Sequence, residues 1–97
     1  MSDDIPELTE AHFARGMLRA QRARLIRGDF QSGEDVADLR RFVGLTPQEF
    51  AAALGVSVRT LQAWERGRRT PRGAALALLR VAARHPGVIR ENLADAA

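Results

Sequence analysis

The stretch from residue 46 to residue 67, TPQEFAAALGVSVRTLQAWERG, constrains the fold more than any other part of the chain. Thr46 followed three residues later by Glu49 is the pattern of a capping box, in which each side chain satisfies a free amide at the start of a helix. Gly55 ends that helix, because glycine adopts a positive φ at little cost. Ser57 caps a second helix, which a further glycine closes. The sequence therefore predicts two short helices joined by a tight turn.

Helices this short are unstable alone in water, so both must pack against the rest of the chain. The apolar residues that would hold them are Phe50, Ala51 and Leu54 in the first helix, and Leu61 and Trp64, with or without Val58, in the second. The opposite side of the second helix is then left for another role.

The composition divides the chain at about residue 31. The first ten residues contain four acidic residues and no basic one, which is typical of a segment without a packed core. Thr9 is positioned to cap a helix that runs to about Ile26. Its apolar members are Phe13, Met17, Leu18, Leu25 and Ile26. The sequence GDFQSG at residues 28–33 breaks this helix. We therefore expect an acidic N-terminal arm and helix over residues 1–31 and a separate domain over residues 32–97.

The predicted domain is all-α. A helix begins at Ser32 or Gly33, and its first turn carries two carboxylates (Glu34 and Asp35), which favour the helix dipole there. Its apolar stripe is Val36, Leu39, Phe42 and Val43. The pair Thr70-Pro71 predicts a further helix start by the logic of Thr46-Pro47. Pro86 must end or restart that helix, and Val88, Ile89 and Leu93 mark a last short helix. No stretch alternates with a period of two, so we expect five helices between about residues 34 and 94, with an additional N-terminal helix or arm.

Several classes of protein are excluded or disfavoured by the composition. The chain has no cysteine, and His12 and His85 share no ligand spacing, so we expect no metal and no cofactor. No nucleophile and base stand in a catalytic pattern, and we expect no enzyme activity. No apolar run approaches the roughly 18 residues of a membrane helix, and the acidic start is unlike a signal peptide. A cytoplasmic protein without membrane contact is the expectation.

The basic charge is concentrated in one region. Residues 57–84 contain seven arginines and a single acidic residue, a local net charge of +6, whereas the whole chain has a net charge of +3. All fifteen basic residues of the chain are arginine. Arginine binds phosphate and guanine through paired hydrogen bonds, although the absence of lysine does not by itself establish such contacts. An acidic beginning and a basic middle indicate two different kinds of surface.

The segment LRRFVGLTPQEFAAALGVSVRTLQAWERGRRTPRGAALALLRV resembles the lambda-repressor-like (XRE-type) helix-turn-helix family. The residues in register with the family pattern are Ala51, Gly55, Leu61, Trp64, Glu65 and Gly67. Within the family, SVRTLQAWERGRRTP followed by ALLRVAARHP looks most like HigA-type antitoxins. The resemblance implies a lambda-repressor-like DNA-binding domain that represses transcription as a homodimer on a palindromic operator of double-stranded DNA.

The resemblance also implies which residues contact DNA. The implied contacts, taken partly from the outward side of the second helix, are Thr46, Gln48, Ser57, Val58, Arg59, Thr60, Gln62, Ala63, Arg66, Arg68 and Arg69. Arg59 would bind guanine, Gln62 adenine or phosphate, and Val58 a thymine methyl group. Ser57, Thr60 and the last three arginines would contact the DNA backbone. Three further residues have structural roles: Trp64 belongs to the core, and Glu65 pairs with Arg40 to brace the second helix.

One position departs from the family pattern. Many relatives have glutamine where this chain has Pro47, and that glutamine helps to hold the DNA backbone. Proline offers neither the side chain nor an N–H, so Gln48 or Thr46 would take over the contact.

Three functions remain open at the level of sequence. The opening DDIPELTEAHFARGML resembles the start of some short antitoxins, which implies an acidic segment that binds a ribonuclease-type toxin while the helix-turn-helix represses the shared operon. The alternatives are a stand-alone regulator with no toxin partner, and a protein-interaction module that has lost DNA binding. The apolar residues of the helix at 72–84 and of the segment at 88–93 either form the homodimer contact or only close the core.

Overall fold

Six helices account for most of residues 17–96, the part of the chain that the computed structural model describes. They are α1 (Arg19–Ile26), α2 (Gly33–Val43), α3 (Pro47–Leu54), α4 (Val58–Glu65), α5 (Gly73–Arg84) and α6 (Pro86–Ala96). No strand lies among the elements of this range. The prediction of an all-α fold, with five helices after an N-terminal segment, is confirmed.

The starts and ends of the two central helices follow local sequence rules. The Thr46 hydroxyl accepts a hydrogen bond from the N–H of Glu49 at 3.2 Å, and the Glu49 carboxylate accepts one from the N–H of Thr46 at 2.9 Å. This reciprocal pair is the predicted capping box. Gly55 ends α3 in the left-handed conformation, with φ of 75°. Ser57 caps α4 by accepting from the N–H of Thr60 at 3.0 Å.

The predicted start of α5 at Thr70-Pro71 is wrong. The helix begins two residues later, at Gly73, and its N-cap residue Arg72 is extended and makes no side-chain capping bond. A capping box needs glutamate or glutamine three residues after the threonine, and that position is occupied by Gly73. Pro71 is buried instead of opening the helix. Gly73 then makes the turn into α5 with a φ of 58°.

Of the predicted helix from Thr9 to Ile26, the structure confirms the part from Arg19 to Ile26, whereas residues 17 and 18 are not helical. Leu18 is extended and α1 begins only at Arg19; residues 9–16, including Phe13, lie outside the described residues. Met17 is 1% exposed, whereas Leu18 is 42% exposed. An extended backbone directs successive side chains to opposite sides, which places Met17 in the core and leaves Leu18 outside.

A single core holds all six helices together. The buried apolar residues form one cluster, to which α1 contributes Leu25 and to which Met17 also belongs. Its largest fully buried members are Phe50, Met17, Leu25, Leu39, Leu61, Leu79, Val36 and Val43. The described part of the N-terminal segment therefore packs into the same core as the helices that follow it. The division of the chain at residue 31 into two functional parts stays a prediction.

Arginine side chains attach α1 to α5. The guanidinium of Arg22 donates from Nε to the carbonyl of Ala83 at 2.8 Å and from Nη2 to the carbonyl of Arg84 at 3.1 Å. In the opposite direction, Arg80 Nε donates to the carbonyl of Ile26 at 3.0 Å. These bonds satisfy carbonyls at the C-terminal ends of both helices, where cations are favoured. They explain how α1, which has few apolar residues, is fixed to the domain.

Asp35 connects α1 to α2. Its buried carboxylate accepts two hydrogen bonds from Arg24, both at 3.1 Å, one from the side chain of Gln21 at 3.0 Å and one from the N–H of Gln31 at 2.8 Å. Sequence reasoning assigned Asp35 only to helix-start electrostatics and missed these partners. Burial alone would raise the pKa of Asp35, but the hydrogen bonds from Arg24, Gln31 and Gln21 and the charge of Arg24 outweigh it, so the pKa lies below its ordinary value.

This lowered pKa predicts an acid-dependent loss of stability. A carboxyl whose pKa is lower in the folded than in the unfolded state stabilises the fold fully above the unfolded pKa of about 3.9, and this contribution is lost as the pH falls through the folded pKa. Wild type should therefore lose more unfolding free energy between neutral and acidic pH than Asp35→Asn, measured by urea denaturation at a series of pH values.

The matched control for this prediction is Glu34→Gln, which removes an exposed carboxylate from the same helical turn. Its unfolding free energy should follow that of wild type closely, because exposed ion pairs contribute little. Equal pH dependence of wild type and Asp35→Asn would contradict the assignment.

Candidate nucleic-acid interface

The helices α3 and α4 form a helix-turn-helix pair with separate inner and outer sides. Phe50 and Leu61 are fully buried, and Trp64 is buried at the end of α4. On the opposite side of α4, the side chains of Arg59 and Gln62 are exposed. This separation follows from the helical period, because residues three positions apart lie on the same side. The outer side of α4 therefore presents a guanidinium and an amide to the surroundings.

The three other candidates within α4, Val58, Thr60 and Ala63, are less accessible. Val58 is half-buried and packs against the core cluster, and Ala63 is also half-buried. The sequence left open whether Val58 belongs to the core, and the structure places it at the edge of the core. The half-buried methyl groups of Val58 can offer only part of their surface to a thymine.

The hydroxyl groups at the starts of α3 and α4 already have partners within the protein. Ser57 Oγ accepts from the N–H of Thr60 and donates its own proton to Thr60 Oγ1 at 3.0 Å, and Thr46 takes part in the capping box. A hydroxyl that accepts one bond still has a proton to donate. Thr46 is exposed, and its hydroxyl proton remains available to an acceptor such as a phosphate oxygen. At the start of α4, the hydroxyl that keeps its proton is that of Thr60, because Ser57 donates to it. Gln48, one residue after Pro47, is exposed on the first turn of α3.

An ion pair fixes the end of α4 to α2. Arg40 donates from Nε to Glu65 Oε2 at 2.8 Å and from Nη2 to Glu65 Oε1 at 3.4 Å. Its Nη1 also donates to the carbonyl of Leu45 at 3.2 Å. The side chains are 15% and 17% exposed, respectively, so water screens the pair only partly. The family resemblance implied this contact, and the structure brings the two residues together.

The loop after α4 folds back on the helix and displays arginine. Gly67, with φ of 75°, allows the N–H groups of Arg68 and Arg69 to donate to the carbonyl of Ala63 at 2.9 and 3.3 Å. The side chains of Arg66, Arg68 and Arg69 are exposed. An open groove beside them is lined by Thr60, Trp64, Arg68, Arg69, Thr70 and Arg72. Sequence reasoning did not name Arg72 as a contact, although it belongs to the same basic run.

The expected contact residues therefore fall into two groups. Those exposed on the surface of α3, α4 and the following loop are Thr46, Gln48, Ser57, Arg59, Gln62, Arg66, Arg68 and Arg69, and those half-buried at its margin are Val58, Thr60 and Ala63. Arg40, Glu65 and Trp64 lie behind this surface. Among the residues the structure describes, no cluster of three or more side chains suited to a metal ion is found.

Comparison with known proteins matches residues 36–81 to the Helix-turn-helix family. This range begins within α2 and ends within α5, so it contains the whole α3–α4 unit described above. Residues 36–81 are therefore similar to the helix-turn-helix domains of this family. Within the described range, no helix of this protein is both long and apolar enough to cross a bilayer.

A curated relative is similar over part of the chain. Antitoxin HigA-2 of Vibrio cholerae serotype O1 is 38% identical over 55 residues, which is 57% of this chain and 53% of the relative. The chain thus spans about half the length of the curated relative that it matches. The similarity to HigA antitoxins expected from SVRTLQAWERGRRTP is confirmed over these 55 residues.

The Arg40–Glu65 pair gives the first prediction about α4. Arg40→Met leaves a partly buried carboxylate without its partner, which should lower the unfolding free energy by about 1–3 kcal/mol in urea denaturation. Arg41→Met is the matched control, because the neighbouring guanidinium is 59% exposed and pairs with Asp38 and Glu34 at the surface. Its cost should stay below about 1 kcal/mol. Equal costs for the two variants would show that the pair does not hold α4.

Proposed function

We propose that this chain is a sequence-specific DNA-binding transcriptional repressor. The observation that carries the proposal is the division of α4 into a buried side, with Leu61 and Trp64, and an exposed side, with Arg59 and Gln62, inside a helix-turn-helix domain. A helix held rigidly from behind and bearing hydrogen-bonding groups in front can enter the major groove, which is about 12 Å wide.

In this proposal, the two exposed side chains of α4, Arg59 and Gln62, contact the bases. Arg59 can donate two of its guanidinium N–H groups to O6 and N7 of one guanine, and Gln62 can form two hydrogen bonds with adenine or one with phosphate. Half-buried Val58 is limited to an edge contact with a thymine methyl group.

Phosphate binding falls to the surrounding surface. Arg66, Arg68 and Arg69 are exposed on the loop after α4. None of the three forms an ion pair with another residue in the range 17–96. Pro47 stands where many relatives have a phosphate-binding glutamine, and Gln48 or Thr46, both exposed at the start of α3, takes over that contact. Such contacts fix the register of the protein on the duplex without selecting its sequence.

A homodimer would place two copies of α4 on a palindromic operator. The surface that fits this role is an exposed stripe on α5, formed by Ala74, Ala77, Leu78 and Val81. Ile26 of α1 borders it. A continuous apolar stripe of this kind is typical of an interface between subunits. Light scattering at micromolar concentration tests the proposal, and a monomer would contradict it.

A more specific function is that of an antitoxin that represses its own operon. The similarity to Antitoxin HigA-2 favours it, and so does the acidic composition of residues 1–16. Opposite charge would attract this segment to a basic ribonuclease-type toxin. The alternatives are a stand-alone regulator with no toxin and an interaction module without DNA binding; the exposed Arg59, Gln62 and loop arginines argue against the second.

The DNA-binding proposal predicts different effects for two exposed arginines. Arg59→Ala should lower affinity for the preferred duplex by about tenfold and relax the preference at one base position. Arg69→Ala should weaken binding to all duplexes alike. It should also reduce the slope of log affinity against log salt concentration by about one, because one fewer counterion is released. Mobility shifts at several salt concentrations, with duplexes selected from random DNA by wild type, measure both quantities. Two variants with the same base preference and salt slope would contradict the assignment.

The antitoxin proposal predicts that the two activities can be separated at residue 17. A chain that begins at Met17 should lose toxin binding, measured by co-purification with the product of the adjacent gene, and keep DNA binding. Truncation at residue 31 is unsuitable, because Met17 and Leu25 belong to the core. Replacing the four acidic residues before residue 11 by their amides in the full chain is the matched control for charge. Toxin binding by the truncated chain would exclude the assigned role of the acidic segment.

A further inference from the structure

The start of α2 lies directly against the end of α4. A side chain at Gly33 would place its Cβ atom 2.3 Å from the carbonyl oxygen of Glu65 and 2.6 Å from that of Trp64. Real Cβ contacts are never this short, and the opposing atoms are backbone atoms that cannot rotate away. Glycine is therefore the residue that permits α2 and α4 to approach this closely.

The close approach joins opposite ends of two helix dipoles. Gly33 is the first residue of α2, where free N–H groups carry partial positive charge, and Glu65 is the last residue of α4, where free carbonyls carry partial negative charge. The side chain of Glu65 also accepts a hydrogen bond from Arg40, which lies two turns after Gly33 in α2. One helix thus holds the end of α4 at two points, one by backbone contact and one by an ion pair.

The first turn of α2 is in turn anchored to α1. The N–H of Asp35 donates to the carbonyl of Ser32 at 3.1 Å, and the Asp35 carboxylate accepts from the N–H of Gln31. Gly33 lies between these two bonded positions, so the turn that contains it has little freedom. Arg24 binds the same carboxylate with both of its Nη atoms. A chain of direct contacts therefore runs from α1 through Asp35 and Gly33 to the backbone of α4.

We propose that Gly33 is a positioning residue for base reading, and that α1 contributes to the orientation of α4 through it. This proposal rests on the proposed DNA-binding function. Gly33 and Arg40 hold the C-terminal end of an eight-residue helix, and Gln62 lies less than one turn from that end. A displacement of the end by the width of a methyl group moves the exposed side chains against the bases. Both α1 and Gly33 lie outside residues 36–81, the range matched to the Helix-turn-helix family.

The test compares two glycines that occupy the first turn of a helix. Gly33→Ala inserts a methyl group against the carbonyls of α4. Gly87→Ala, in the first turn of α6, places its Cβ no closer than 3.6 Å to the end of the Arg90 side chain. Neither glycine has a positive φ, so backbone strain does not distinguish the two variants. Affinity is measured for the duplex preferred by wild type and for random duplex, and the emission of Trp64, the one tryptophan of the chain, reports on α4 directly.

The expected result is specific to α4. Gly33→Ala should lose about tenfold or more of its preference for the selected duplex, the cost of one good base contact, while its affinity for random duplex and its helical circular dichroism stay close to wild type. Its Trp64 emission should shift. Gly87→Ala should match wild type in all four measurements. A folded Gly33→Ala with unchanged preference and unchanged emission overturns the proposal.

A second variant decides the question if Gly33→Ala does not fold. Arg24→Gln removes the link from α1 without adding an atom near α4, and Arg24 is partly exposed. It should lower the preference for the selected duplex and shift Trp64 emission; no change in either overturns the proposal. Wild type that binds no duplex specifically overturns the proposed function instead. Trp64 emission then still decides whether Gly33 sets the position of α4.

Discussion

The attachment of α4 to α2 is the interaction on which the rest of the structure depends. An eight-residue helix has no stability of its own in water, and its exposed side carries the polar groups that would read DNA. It is held by three contacts: the buried Leu61 and Trp64, the Arg40–Glu65 ion pair, and the backbone contact at Gly33. The apolar contacts hold the helix in the core. The two contacts from α2 fix the position of the C-terminal end of α4, and base recognition depends on that position.

Arginine has two physical roles in this chain, and the hydrogen-bond partners of each side chain separate them. Arg22, Arg80 and Arg90 donate to main-chain carbonyls at helix ends or loops, and so replace apolar packing in places where the helices have little to bury. The arginines of the loop after α4 are exposed and have no carboxylate partner among the described residues. A guanidinium with five donors can serve either role, which is why composition alone could not assign them.

Local rules predicted the centre of the domain well and its margins poorly. The capping box at Thr46 and Glu49 needs only residues three positions apart, and the positive φ of Gly55 needs only the absence of a side chain. The same rule failed at Thr70, because the pattern there lacks its glutamate and burial of Pro71 delays the helix. Before α1, a helix was also expected at residues 17 and 18, where Met17 is buried and Leu18 is extended. Burial is a property of the whole fold and is not visible in a short window.

By itself, the sequence determined the all-α class, the helix-turn-helix pair and the side of α4 that faces outward, because each depends on residues within one or two helical turns. Resemblance to a family added the pairing of Arg40 with Glu65. Only the tertiary structure revealed the partners of Asp35, the inclusion of α1 in the core and the close contact of Gly33 with α4. Apart from Gln31, which is four positions from Asp35, these contacts join residues that are 11 to 32 positions apart or further. A distance across the fold depends on how every helix packs.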